Sequence, residues 1–99
     1  MSAKSQIDVE ARSAKFGHAF DVTVREGGGE TRHTVTVSEK DLDRFAGGTG
    51  DPAMLVKESF RFLLEREPKE SILGSFALSV IARYFPEYPG EIARRLAKG

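Results

Sequence analysis

Apolar and polar positions alternate most clearly between Phe16 and Val37. Phe20, Val22 and Val24 fall on one strand face, with Asp21, Thr23 and Arg25 on the other. Further on, His33, Val35 and Val37 form an inner set, and Arg32, Thr34 and Thr36 an outer one. Between the two runs stands Gly27-Gly28-Gly29, which permits the positive backbone angles of a tight reversal. The pattern predicts an antiparallel hairpin, Ala19–Glu26 with Glu30–Val37. The triple glycine is read as its turn rather than as an anion cradle, because alternating strands flank it. Residues 1–15 are polar and weakly patterned. Ile7, Val9 and Ala11 alternate there, which suits either a short strand or a flexible N-terminal segment.

After Val37 the period changes from two to between three and four. Ser38 is a good N-cap, Leu42, Phe45 and Ala46 give one apolar side, and Gly47-Gly48 ends a short helix over 39–46. Asp51-Pro52 opens a second helix over 52–67. Leu55, Val56, Ser59, Phe60 and Leu63 fill its broad inner face; Lys57, Glu58, Arg61 and Glu65 lie opposite. Ile72, Leu73, Phe76, Ala77, Val80, Ile81 and Tyr84 repeat at three- and four-residue spacing with no charge between Glu70 and Arg83, which predicts a long apolar helix over 71–85. A helix of this kind is central, or is buried against a second subunit through Ile72, Phe76, Val80 and Tyr84. Pro86 stops it, and a last helix is expected over 90–97. The fold expected is a single α+β domain over 16–99, an N-terminal antiparallel β-hairpin followed by three or four helices.

Composition narrows the chemistry. The chain has 99 residues, 15 basic and 15 acidic, and no cysteine, so disulfides, zinc–thiolate sites and thiol nucleophiles are excluded. Zero net charge lowers the expectation of strong non-specific nucleic-acid binding. The N-terminus has no signal pattern, and the most apolar run is too short for the roughly 20 residues of a membrane helix. A bacterial, cytoplasmic protein without membrane contact is expected.

Candidate sites are few. His18 and His33 share the inward phase of the hairpin, which allows a metal or catalytic pair, but no carboxylate accompanies them on that face. Packed core or edge histidines are the favoured reading. Gly47-Gly48-Thr49-Gly50 precedes a helix and could present N–H groups to a phosphate, yet it lacks the ending of a P-loop; an ordinary helix–helix connection is favoured. Acidic residues mostly stand beside a base at helical spacing, as in Glu58-Arg61, Arg61-Glu65 and Glu65-Lys69. Tyr84-Phe85-Pro86-Glu87-Tyr88-Pro89 is either an exposed recognition patch or a helix stop with aromatics folded over the core. No enzyme activity and no cofactor are expected.

The strand Arg32–Val37, the helix Ser38–Ala46 and the run Leu55-Val56-Lys57-Glu58-Ser59-Phe60 together resemble the ribbon-helix-helix family of bacterial repressors and antitoxins, over Thr31–Arg66. The resemblance implies that two chains pair their strands into a ribbon that enters the major groove. Arg32, Thr34 and Thr36 would then read base edges, and amides near Thr49 would hold phosphate. DNA binding is the alternative to the main expectation, a non-enzymatic interaction protein with a protein partner or a second copy of itself.

Overall fold

In the computed structural model, which describes residues 5–47 and 50–98, the alternating half of the chain forms three strands rather than two. Strands β1 (Gln6–Arg12), β2 (His18–Glu26) and β3 (Gly29–Val37) make a meander. Helices α1 (Glu39–Ala46) and α2 (Pro52–Leu64) follow, then a 3-10 turn at Lys69–Ser71, strand β4 (Ser75–Ala77), α3 (Val80–Tyr84) and α4 (Tyr88–Lys98). The sheet runs β1-β2-β3-β4, antiparallel except for the β3–β4 pair, which is parallel. The α+β class holds, but the sheet is a mixed one of four strands, wider than a hairpin.

The hairpin has the expected register. Glu26 faces Gly29, so Gly27 and Gly28 alone make the loop, with φ of 61° and 82°. Two successive residues in the left-handed region give the turn whose twist matches the flanking strands. Of the two readings of residues 1–15, the strand is observed at the sheet edge over Gln6–Arg12: Ile7 stands opposite Val24, and Val9 opposite Val22. Two alternating apolar residues suffice because β2 supplies a ready edge. The β1–β2 loop is held by Gly17, at φ 66°, where a Cβ would come within 2.6 Å of the Val37 carbonyl oxygen. Only glycine fits that approach.

Phe20, Val22, Val24, Val35 and Val37 are buried on one sheet face and join Leu42, Phe45, Leu55, Val56 and Phe60 in one core cluster. The polar face stays in solvent. Both predicted caps form: Ser38 Oγ accepts from the Asp41 N–H at 3.0 Å, and Asp51 Oδ1 from the Ala53 N–H at 3.0 Å. Helix α2 stops at Leu64, short of the expected 67, where the Glu65 and Arg66 N–H groups turn to the Phe62 and Leu63 carbonyls three residues back. Its Glu58–Arg61 pair forms at 2.6 Å, but Glu65 reaches Arg95 and Arg66 instead of Arg61 or Lys69.

The long apolar helix over 71–85 does not form. Its sequence is divided into a loop, β4 and the short α3. The cause lies in β3, whose outer edge has free peptide groups at Thr34–Thr36. The Thr34 N–H donates to the Gly74 carbonyl at 2.8 Å, and the Leu78 N–H donates to the Thr36 carbonyl at 2.9 Å. Gly74 and three serines make this stretch a weak helix former, so edge pairing overrides the spacing. The buried residue that results, Leu78, lies outside the expected stripe.

Helix α4 starts at Tyr88, two residues before the expected 90, and Tyr88 is fully buried. Of the aromatics around Pro86 and Pro89, Phe85 and Tyr88 fold onto Phe62, whereas Tyr84 stays in solvent. The Tyr88 hydroxyl meets Ser59 Oγ at 2.7 Å inside the α2–α4 contact. Ser59 Oγ also donates to the Leu55 carbonyl at 2.7 Å, so its one proton is committed and Tyr88 is the donor. Burial pushes the Tyr88 phenol well above its ordinary pKa. Ser59→Ala strands a buried hydroxyl and should cost about 1–3 kcal/mol, and Tyr88→Phe about 1 kcal/mol. The double variant should cost less than the sum of the two in urea unfolding, because it leaves no orphan hydroxyl.

Candidate functional site

The four residues expected to mediate self-association do not share a helix, but they do share a place. Ile72, Phe76, Val80 and Tyr84 line one open groove of about 330 Å³, together with Leu63 from α2. Ile72 and Ile81 form a buried floor, Phe76 is half-buried, and the rim is apolar yet open. Leu73 is 50% and Tyr84 69% exposed. Few large apolar side chains of the described residues are exposed to that degree, and two of them flank this groove.

One wall is charged. Glu67, in the turn after α2, is the groove's single ionisable carboxylate. Among the described residues it has no ion-pair partner, and partial burial raises its pKa above the ordinary carboxylate value. Other glutamates of the chain are held low by guanidinium partners, Glu30 by Arg25 and Arg32 and Glu65 by Arg95. Sequence reasoning passed over Glu67, although a signal exists. The residues three and four positions away are Leu63, Leu64, Glu70 and Ser71, none of them basic.

His33 fixes the groove to the sheet. Its Nδ1 lies 2.7 Å from the Leu73 carbonyl and its Nε2 2.9 Å from Thr31 Oγ1. A carbonyl only accepts, so Nδ1 carries the proton and Nε2 accepts from the Thr31 hydroxyl. The ring is buried and packs against Phe60, with centroids 5.3 Å apart. His18 is elsewhere: it faces Val37 across the hairpin and reaches Glu39 at 3.2 Å. The two histidines are therefore not a pair, and the carboxylate partner of His18 comes from α1, an element the hairpin pattern could not reveal. Among the described residues no group of three or more His, Asp and Glu is placed to hold a metal.

Arg32, Thr34 and Thr36 lie on the solvent face of β3, as their alternation requires. Arg32 is bound to Glu30 at 3.1 Å, and Thr34 donates to Asp21 at 3.3 Å. The same face carries Asp8, Glu10, Asp21 and Glu30 against Arg12, Arg25 and Arg32, so its acids slightly outnumber its bases. Arg25 bridges Asp8 at 2.6 Å and Glu30 at 3.1 Å, and Arg12 holds Asp21 at 3.0 Å. Thr49 lies outside the described residues.

Compared with known proteins, the chain matches no family model, no curated protein and no solved structure.

Two outcomes follow from this geometry. His33→Phe keeps the packing but leaves the Leu73 carbonyl unsatisfied, and should cost about 1–3 kcal/mol in urea unfolding. Glu67 titrates with a raised folded-state pKa, so the native state binds its proton more tightly than the unfolded chain does. Its charge therefore opposes folding above that pKa, and the opposition fades as pH falls through it. Glu67→Gln should raise the melting temperature at neutral pH slightly, through a stability gain within about 0.5 kcal/mol, since the side chain is part-exposed. The gain should vanish in acid.

Proposed function

We propose that this protein is a non-enzymatic interaction module whose working surface is the groove between α2, β4 and α3. The observation that supports this most is the open apolar lining with the solvent-exposed rim residues Leu73 and Tyr84. Contiguous apolar surface in a depression is a common mark of a binding site, whereas scattered exposed side chains are ordinary. Glu67 sets the chemistry of the occupant: an apolar group with a cation beside it would gain both burial and an ion pair.

Nucleic acid suits this surface less well. The polar sheet face has its guanidiniums already tied to carboxylates. A ribbon shared by two chains would also need the β3 edge that β4 fills at Thr34–Thr36. The proposal therefore centres on the groove.

A short acetylated peptide of alternating lysine and phenylalanine is a suitable probe. In an NMR titration the amides of Leu73, Phe76 and Ile81 should shift saturably, and Leu73→Glu should weaken the binding roughly tenfold or more, about 1.4 kcal/mol. The matching glutamate–phenylalanine peptide should leave these amides in place. No saturable shift with the basic peptide would remove the proposal.

A further inference from the structure

We infer that the occupant of the groove is the Lys15–Phe16 tip of a second copy of this chain, an inference that rests on the groove being a binding surface. Phe16, at 86%, is the most exposed of the large apolar side chains described. It stands in the β1–β2 loop, and that loop is not a loose end. Gly17 presses it against the Val37 carbonyl in a backbone conformation that favours glycine, so the aromatic ring is carried on an anchored support. Lys15 is also exposed and has no ion pair among the described residues. Because the two are adjacent in sequence, a cation travels with the aromatic.

These are the features the groove lacks. Its lining is apolar, with Phe76, Tyr84 and Phe85 available for edge-to-face contact with an inserted ring. Its wall holds one carboxylate without a cation. Its volume, about 330 Å³, is at the small end for a ligand site and suits one aromatic side chain with its neighbours. Copies of the chain approach one another without net repulsion, since 15 basic and 15 acidic residues cancel. Seated in the groove, the Phe16 ring loses its exposure and the Lys15 ammonium faces Glu67.

Tip and groove are different surfaces, so the contact is head-to-tail. Each chain that gives its tip still has a groove to fill. Association then either closes into a ring or continues to grow with concentration.

Sedimentation of the full chain across a concentration series tests this. The mass of the wild type should rise above one chain. Phe16→Ser and Glu67→Lys should each weaken association by roughly ten- to a hundredfold. Phe16 is exposed and Glu67 part-exposed, and circular dichroism of each variant checks that the fold is retained. Lys15→Glu combined with Glu67→Lys should restore the rise. Mixing Phe16→Ser, which keeps a groove, with Glu67→Lys, which keeps a tip, should give a pair that grows no further. A wild-type mass of one chain throughout, or association untouched by Phe16→Ser, overturns the inference. If Leu73→Glu abolishes association and Phe16→Ser does not, this occupant is wrong while the groove proposal stands.

Discussion

The outer edge of β3 is the constraint on which the rest of this structure turns. A strand with one neighbour leaves a row of N–H and carbonyl groups that must be met by water or by chain. Here the Thr34 N–H and the Thr36 carbonyl are met by Gly74 and Leu78. That choice converts an apolar stretch with helical spacing into a strand. It places Phe76 beside the core, leaves Leu73 at a rim, and creates the depression between β4 and α2. The His33 ring reinforces the attachment from inside, by a bond to the carbonyl of Leu73.

The division between what the sequence revealed and what it concealed follows from range. The hairpin, its two faces, both helix caps and the core of α2 depend on local alternation, local turn chemistry and neighbours within one helix turn, so they were legible. The 71–85 segment was not, because its conformation is dictated by Thr34–Thr36, far away in sequence. Spacing alone cannot separate a buried helix from a short strand with flanking loops when an open edge stands nearby. The strand at Ile7 and Val9 was undecided for the same reason, since its partner had to be known first. Phe62 was assigned to neither face of α2, yet it is buried beneath α4, with the Arg66 guanidinium 3.7 Å above its ring. The spacing of Ile72, Phe76, Val80 and Tyr84 predicts one helix, whereas the fold gathers them around one groove from a loop, a strand and a short helix.

Charge is distributed in two different ways over the molecule. On the exposed sheet face it is spent internally, each guanidinium lying against a carboxylate, in a ladder that keeps the face hydrated and discourages edge-to-edge stacking. At the groove a carboxylate is left with apolar neighbours and no cation among the described residues. Equal numbers of acids and bases thus conceal an uneven arrangement, and that unevenness gives one surface a chemical preference.

The parallel pairing of β4 also bears on the order in which the molecule is built. The β1–β2–β3 meander closes through short turns, so its contacts are local and form quickly. Thr34 meets Ser75 only after a loop of about forty residues has closed and α1 and α2 are in place. With just three residues in β4, little backbone pairing holds that last step. β4 is thus expected to be the last strand to join the sheet, and Ile72, Leu78 and Ile81 then tie its segment into the common core. The shape of the groove, as distinct from the apolar residues that line it, is then a property of the finished chain alone.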